Sequence, residues 1–242
     1  MVARRSLRVA GTALLLFGFA ALCAWAQAGE PKGDVIVKGR SFWQLLQAGG
    51  TVGWFIIACS VVSLALIIQN FMEIRRDKLC PPELLGELEA LCQDRHFEEA
   101  RSLCAQEKSF FTNMVGAALA KVSQGYDEMK KSMEDIGNEE SFKLAVKISW
   151  LNLLGQVGPL LGLFGTVTGM ITAFQVIEQK KTPSPADLAR GVYEALVTTC
   201  QGLVVGIPVL CMYFYFRNKV GGLIIEMGLT GTDFLDRFKK KA

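Results

Sequence analysis

Three long apolar runs, none of which contains lysine or arginine, constrain this chain more than any other feature. They occupy residues 52–71, 150–177 and 192–216. At about 1.5 Å per residue, roughly twenty helical residues cross the ~30 Å hydrocarbon core of a bilayer. Charged side chains crowd between residues 73 and 147, whereas a soluble protein disperses them so that each helix keeps a wet face. The sequence therefore predicts an all-α integral membrane protein with three transmembrane helices.

A shorter apolar segment at residues 9–22 precedes these runs. It follows three arginines and leads into the small-residue pattern Ala24-Trp25-Ala26. A basic stretch, a short apolar stretch and small residues, in that order, are typical of a secretory signal peptide. We therefore expect residues 1–28 to be a cleavable signal, with an uncleaved fourth span as the alternative.

Basic residues flank the apolar runs unevenly. They follow the first run, precede the second and follow the third: Arg75, Arg76, Lys78, Lys143, Lys147, Arg217 and Lys219. Because cytoplasmic flanks of membrane helices are enriched in Lys and Arg, these flanks are predicted to be cytoplasmic. Lys180, Lys181 and Arg190 count against this orientation but are fewer. We expect the mature N-terminus on the extracytoplasmic side and the C-terminus in the cytoplasm.

The expected organisation follows from these segments. It comprises a signal peptide (1–28), a periplasmic N-terminal segment (29–50), a first transmembrane helix (51–71), a cytoplasmic helical domain (72–148), a second transmembrane helix (149–177), a periplasmic loop (178–190), a third transmembrane helix (191–216) and a cytoplasmic tail (217–242).

The charged region between the first two spans has helical periodicity. Leucines at positions 84, 85, 88 and 91 recur at helical spacing after Pro81-Pro82, and residues 97–104 form a second helical segment. A third segment runs from Met114 toward Trp150 and meets no proline before Pro159. We expect a cytoplasmic helical bundle that extends the second and third spans.

Catalytic and metal sites are not indicated. The net charge is only +3, so no nucleic-acid surface is implied, and there is one histidine and no phosphate-binding or nucleophile-elbow motif. Cys92, His96 and Cys104 lie close together in sequence but lack a fourth ligand, which makes them a weak zinc signal. We expect a protein that is not an enzyme and holds no metal or cofactor.

The second span carries small residues on one side and large residues on the other. On a helical projection the small side contains Gly158, Gly162, Gly165, Thr166, Gly169, Thr172 and Ala173. The opposite side contains Leu160, Leu163, Phe164, Val167, Ile171 and Phe174. Since small residues permit close backbone approach inside lipid, the small side predicts the packed face and the large side predicts the lipid or outer-helix face.

The third span repeats this design and adds a carboxyl group. Its small side contains Ala195, Thr198, Thr199, Gly202 and Gly206, and its large side contains Leu196, Leu203, Val204, Ile207 and Leu210. Glu194, Thr198 and Gln201 are spaced to line the edge of the small side. A carboxyl within a bilayer is costly and is by default a functional candidate.

Simpler interpretations remain open at each position. The glycines can serve plain helix packing, Glu194 can reach the interface, and the threonines can bond to their own helix carbonyls. Two adjacent spans that share a small, polar face with an acid favour a face that meets water or a polar partner helix.

The two spans resemble a known membrane family. Residues 158–174, GPLLGLFGTVTGMITAF, look like the second-span signature of the ExbB/TolQ/MotA family, and residues 194–208, EALVTTCQGLVVGIP, resemble its third-span signature. The charged helical segment and the short loop between spans two and three also match. The resemblance covers essentially the whole mature chain.

The resemblance implies an ion-channel subunit that works with partner proteins. It implies a homopentamer whose second and third spans line a central pore that receives a single-span subunit of the ExbD/TolR kind, which supplies an ionisable Asp. A TonB-like or TolA-like protein is a further implied partner, besides membrane lipid. The implied ion-pathway residues are Thr166, Thr199, Glu194, Thr198 and Gln201, and the implied helix-packing residues are Gly158, Pro159, Gly162, Gly165, Gly169, Gly202, Gly206 and Pro208.

Two features depart from the family pattern. Gln201 replaces a usually small or apolar residue, and typical three-span members begin without a signal peptide. ExbB-like energised transport across the outer membrane is the expected role. A TolQ-like role in envelope maintenance and a non-conducting membrane scaffold are the alternatives.

Overall fold

The computed structural model describes residues 49–180 and 184–239, and in them it contains helices and no strand. The expected signal peptide and nearly all of the expected periplasmic segment lie outside these residues. The α-helices are α1 (Gly50–Glu73), α2 (Arg76–Leu79), α3 (Pro82–Gln93), α4 (Phe97–Gln106), α5 (Phe110–Leu119), α6 (Tyr126–Gln179) and α7 (Pro185–Lys239), with a 3₁₀ turn at Val122–Gln124.

Three of the described helices are long and apolar enough to cross a membrane: α1, α6 and α7. For residues 49–180 and 184–239, this agrees with the prediction of an all-α protein with three transmembrane helices. Helices α6 and α7 contain 54 and 55 residues, so each is about 80 Å long at ~1.5 Å per residue. Each is more than twice as long as the hydrocarbon core requires, so both extend far outside the bilayer.

The helix boundaries correct one expectation. A single helix from Met114 into the second span is wrong, because α5 ends at Leu119 and Gly125 turns the chain with a φ of 102°, a conformation that glycine adopts readily. At the expected loop 178–190, α6 ends at Gln179 and α7 begins at Pro185. After residue 217, α7 continues to Lys239.

Helix α5 begins at a capping box. The backbone N–H of Thr112 donates to the Ser109 hydroxyl at 3.2 Å, and the backbone N–H of Ser109 donates to Thr112 Oγ1 at 2.7 Å. Two amide groups at the helix start are thereby satisfied without intrahelical partners. The cap fixes where the apolar face of α5 begins.

The main buried core lies where α2–α5 pack against the first half of α6 and the second half of α7. Phe111 on α5 meets Phe234 on α7 edge to face, with ring centroids 6.0 Å apart, and both rings are 1 % exposed. Leu88 on α3 and Met133 on α6 are equally buried in the same cluster. Burying these apolar groups fixes the extramembrane halves of α6 and α7 to the short helices.

Ion pairs join the short elements to the long helices. Arg76 pairs with Glu226 at 2.8 Å, Lys147 with Glu73 at 2.6 Å, and Arg237 with Glu89 at 2.8 Å. Their side chains are largely solvent-exposed, so each pair contributes modestly, typically about 0.2–1 kcal/mol. Together they link α1 to α6, and α2 and α3 to α7.

Large apolar side chains cover the outside of the spans. The exposed ones on α6 include all six that the sequence analysis assigned to the lipid or outer-helix face: Leu160, Leu163, Phe164, Val167, Ile171 and Phe174. On α7, Leu196, Leu203, Val204 and Ile207 are also exposed. Leu210 is an exception, because its side chain lies against Gly155 of α6.

Candidate functional site

Glycines allow the backbones of α6 and α7 to touch along the spans. A Cβ atom on Gly202 would lie only 2.6 Å from the carbonyl oxygen of Gly158 and 3.0 Å from the Cα of Gly162. A Cβ atom on Gly162 would lie 3.0 Å from the Cα of Thr199. We call this contact the α6–α7 seam. Any residue other than glycine at these positions would push the helices apart.

The seam continues toward the loop between the helices. A Cβ on Gly169 would lie 3.1 Å from the Cβ of Ala195, and one on Gly191 would lie 2.4 Å from the Cβ of Ala173. Residue numbers rise along α6 as they fall along α7, so the two helices run antiparallel. The seam therefore spans the whole length of the two apolar segments.

Pro159 also lies in the seam. A Cβ on Gly206 would fall 2.5 Å from the Cδ of the Pro159 ring. Proline within a helix removes one backbone hydrogen bond and normally displaces the preceding turn. Pro208 lies inside α7 in the same way, so both long helices lack one internal donor in this region of the seam.

Threonine hydroxyls are distributed between the seam and its edge. The Thr199 hydroxyl donates to the carbonyl oxygen of Gly162 across the seam at 3.2 Å. The Thr166 hydroxyl donates to its own helix, to the Leu163 carbonyl, at 2.6 Å. Both threonines are half-buried in the chain, so both hydroxyls lie close to the surface that the seam leaves open.

An open groove runs along α6 beside the seam. It has a volume of about 690 Å³ and is lined by Thr166, Val167, Met170, Ile171, Phe174, Gln175 and Glu178. Thr166 marks one end of the groove, and Glu178 marks the other. A groove of this shape, apolar with polar ends, fits an elongated apolar segment.

Two of the expected ion-pathway residues contact helices of the same chain. Thr198 is only 4 % exposed, and its hydroxyl donates to the Ala195 carbonyl while its side chain presses against Gly165. Gln201 points toward the start of α1, where its Oε1 would lie 2.6 Å from a Cβ on Gly49. Their positions in α7 turn both side chains toward helices of the same chain, and their role in the ion pathway stays a prediction.

Glu194 lies in the first turns of α7 near the loop. Its carboxylate accepts a hydrogen bond from Arg190 Nε at 3.1 Å, one helical turn earlier, and the Glu194 side chain is 45 % exposed. From the sequence, Arg190 served only as evidence on the membrane orientation of the chain. In the structure, Arg190 is the hydrogen-bond partner of the Glu194 carboxylate.

The seam also contains residues that the sequence analysis did not single out. Gly155 meets Leu210, and Gly191 meets Ala173. The sequence contained a signal for Gly155 and Gly191, because each continues the spacing of three to four residues between the small residues of its helix. Their contribution became evident only when the partner helix was in place.

The weak zinc signal has no counterpart in the described part of the chain, where no group of three His, Cys, Asp or Glu side chains is placed to hold a metal. Cys92 and Cys104 are instead buried in the extramembrane core. Burial raises the pKa of each thiol to about 11, so both remain protonated and unsuited to metal binding near neutral pH.

Comparisons with known proteins connect this geometry to a family. The profile of the MotA/TolQ/ExbB proton channel family matches residues 105–228, a range that contains the whole of α5 and α6 and most of α7. The chain is 28 % identical over 187 residues to the biopolymer transport protein ExbB of Salmonella typhimurium, covering 72 % of this chain and 74 % of that protein.

Two further relatives widen the comparison. The Tol-Pal system protein TolQ of Haemophilus influenzae is 32 % identical over 101 residues, covering 42 % of each chain. A solved structure of MotAB from C. jejuni superposes with a TM-score of 0.55 at 14 % identity, covering 92 % of this chain and 89 % of that one. At this identity the structural likeness shows a shared fold.

Proposed function

The chain belongs to the MotA/TolQ/ExbB proton channel family, and we propose that it is an ion-channel subunit that couples the proton motive force to work on a single-span partner. The role is ExbB-like, in energised transport across the outer membrane. The observation that carries the proposal is that the family match covers both helices of the α6–α7 seam. Those helices hold Thr166, Thr199 and Glu194 at or near the open surface.

The proposed membrane arrangement follows the sequence. The chain lies in the inner membrane of a Gram-negative bacterium with its mature N-terminus periplasmic and its C-terminus cytoplasmic, as the basic flanks favour. Five copies surround a pore that receives the helix of an ExbD-like or TolR-like subunit. A TonB-like or TolA-like protein then transmits the work.

The proposed chemistry uses hydroxyl groups rather than an acid of this chain as the ion carrier. A hydroxyl donates to a carboxylate and accepts from a carboxylic acid, so Thr166 and Thr199 can stabilise a partner Asp in both protonation states. One charge that crosses 100 mV releases about 2.3 kcal/mol. That energy is enough to bias a rotation or tilt between packed helices. Glu194, held by Arg190, supplies negative charge at the loop end of the pathway.

A TolQ-like role in envelope maintenance is the second candidate. It is favoured by the TolQ relative, which matches at 32 % identity although over a shorter stretch than ExbB. A non-conducting scaffold is the third candidate, because the glycine seam by itself requires only close packing.

The proposal is tested by reconstitution of the full chain with its co-purified single-span partner in liposomes, followed by ion flux under H⁺ and Na⁺ gradients. We expect gradient-dependent flux that a Thr166→Val, Thr199→Val double variant loses and a Thr166→Ser, Thr199→Ser variant keeps. Absence of flux in the intact complex, together with a cellular phenotype that an uncoupler does not change, would favour the scaffold. Deletion phenotypes in receptor-mediated import and in cell division separate the ExbB-like and TolQ-like roles.

A further inference from the structure

Two large apolar side chains project from α7 outside the membrane-spanning part. Ile225 is 66 % exposed and Leu229 is 63 % exposed. Their neighbours on the inner side of the same helix, Leu223, Met227 and Phe234, are buried in the core. Ile225 and Leu229 are one helical turn apart and form a contiguous apolar strip, and such exposed strips outside the bilayer mark interaction surfaces.

The inner edge of the apolar segments can be located from two contacts. Phe71 meets Phe216 edge to face with ring centroids 4.9 Å apart, and Lys147 donates to Glu73 at 2.6 Å. These contacts bring the end of α1 and the inner ends of the apolar segments of α6 and α7 to one level. At ~1.5 Å per residue, Ile225 and Leu229 lie about 14 Å and 20 Å beyond that level. They are too far from the hydrocarbon core for lipid chains to cover them.

A cavity of about 330 Å³ lies at the same depth on the same chain, between α5, α6 and α7. Its apolar lining includes Phe110, Met114 and Ile224. Along α6 it extends from Ser141 to Glu134, which are about 9 Å and 20 Å beyond the level of Lys147. The cavity therefore covers the depth range of Ile225 and Leu229.

Glycine on the exposed side of α7 gives independent support. Gly221 and Gly222 have no atom within 4 Å of the position that a Cβ would take, unlike Gly158, Gly162 and Gly202 in the seam. Glycine in a helix interior costs about 0.5–1 kcal/mol relative to alanine. No contact within the described chain offsets that cost at Gly221 and Gly222, whereas close approach of another backbone would.

We propose that Ile225 and Leu229 of one copy of this chain insert into the α5–α6–α7 cavity of a second copy. The membrane favours a second copy of this chain as the occupant of the cavity. Copies related by an axis perpendicular to the bilayer are held at equal depth by their three spans, so a projection on one copy can reach a cavity at the same depth on the next. The contact joins different surfaces of the two copies, which is the kind of interface that closes into a ring.

The inference does not depend on ion conduction. It needs only that the three apolar helices hold each copy in the membrane. Ion flux and the contact at Leu229 are therefore measured separately. Absence of ion flux would contradict the proposed function and not the contact, and absence of the contact would not contradict ion flux.

Photo-crosslinking in native membranes tests the contact. The full chain carries benzoylphenylalanine in place of Leu229, and a control chain carries it in place of Glu128, an exposed residue near the start of α6. We expect irradiation to give a product of about twice the 26.5 kDa chain mass for the first chain, joined to a peptide from residues 110–141, and none for the control. Adducts to lipid, to another protein or to a different part of this chain would overturn the proposal.

Variants test the same contact without a probe. Leu229→Arg and the milder Leu229→Ala are compared with Val122→Arg, a change at an exposed apolar residue that is 38 % exposed and outside the cavity. We expect at least a twofold loss of the oligomeric fraction in mild detergent for both Leu229 variants and none for Val122→Arg, with helicity unchanged in all three. A wild-type chain that is monomeric in membranes, or Leu229 variants that assemble fully, would refute the contact.

Discussion

The hydroxyl of Thr199 donates a hydrogen bond to the carbonyl oxygen of Gly162 at 3.2 Å. The bond crosses between two helices whose backbones touch, because a Cβ on Gly162 would lie only 3.0 Å from the Cα of Thr199. Gly162 lies within α6, so its carbonyl can also accept the ordinary helix bond, and its second lone pair is used by the threonine. One residue thus contributes both to packing and to the polar surface of the spans.

Thr199→Val is expected to lower the free energy of unfolding by about 0.5–1.5 kcal/mol, the usual net value of one hydrogen bond. Thr166→Val is expected to cost less, because the Thr166 hydroxyl bonds only to its own helix. Thermal unfolding of the purified protein in one detergent compares the two. Thr199→Ser is the matched control and should stay close to wild type; equal losses for both valine variants would contradict the bond across the seam.

Gly202→Ala is expected to destabilise the seam by about 1–3 kcal/mol, the usual cost of forcing extra volume into a packed region. The added methyl group would meet the Gly158 carbonyl at 2.6 Å, and both atoms belong to helix backbones that cannot give way separately. Gly86→Ala in α3 is the control, since nothing lies within 4 Å of its Cβ position, and it should be neutral or slightly stabilising. Thermal unfolding measures both; similar behaviour of the two variants would argue against a close seam.

Glu194→Gln and Arg190→Gln are expected to change ion flux without changing the stability of the folded chain. The pair is an exposed contact one helical turn apart, and such pairs contribute about 0.3–0.5 kcal/mol. Neither variant should therefore change the unfolding temperature appreciably. If Glu194 supplies charge to the ion pathway, Glu194→Gln should reduce gradient-driven flux in liposomes about tenfold or more, and Arg190→Gln should reduce it less. Unchanged flux in Glu194→Gln would remove Glu194 from the pathway.

Phe111→Ala is expected to cost about 3–5 kcal/mol, as truncation of a buried aromatic ring usually does. The Phe111 ring is 1 % exposed and meets Phe234 with centroids 6.0 Å apart, so the change leaves a cavity between α5 and α7. Val122→Ala, at an exposed apolar position, should cost little. Limited proteolysis of the extramembrane helices provides the measurement, and resistance equal to wild type in Phe111→Ala would show that this core is not needed for the packing of α5.

Alkaline pH is expected to destabilise the extramembrane core through its thiols. Burial raises the pKa of Cys92 and Cys104 to about 11 in the folded chain, whereas an unfolded thiol titrates near 8.5. Between about pH 8.5 and 11 the unfolded state therefore loses these protons first. The folded state then binds more protons, and stability falls as pH rises.

A Cys92→Ala, Cys104→Ala variant should show a flatter stability curve across that pH window than wild type. Cys211→Ala, at an exposed position on α7, is the control and should leave the curve unchanged. Thermal unfolding at pH 8 and pH 10.5 supplies the comparison. Parallel curves for wild type and the double variant would show that these thiols do not account for the alkaline loss.

The sequence predicted the membrane spans and their two-sided character because both are local properties. Apolar runs of twenty residues or more allow few other structures in lipid, where every backbone group must be bonded internally. The large residues of α6 from Leu160 to Phe174 projected outward as their helical spacing required. The same spacing assigned Leu210 to the outer side of α7, whereas its side chain packs against Gly155 of α6. A projection of one helix does not show a contact with the neighbouring helix.

The break in the helix at Gly125 shows a second limit of prediction from the sequence. The sequence from Met114 to Trp150 contains no proline, and a glycine in such a segment is compatible with a continuous helix. The chain turns there because α5 packs back against α6 and α7 through Phe111 and its neighbours. A turn that depends on this packing cannot be found from local preferences alone.

The sequence by itself determined three segments in residues 49–239 that are long and apolar enough to span a membrane, two of them with small, polar faces. Hydrophobicity and helical periodicity are properties of consecutive residues. Only the tertiary structure decided how those faces are used. Gly162 and Gly202 became a backbone contact, Thr198 and Gln201 turned toward helices of their own chain, and Thr166 stayed at an open groove. The reason is that the direction of a side chain on a helix becomes meaningful only when the rotation of that helix against its neighbours is fixed by packing.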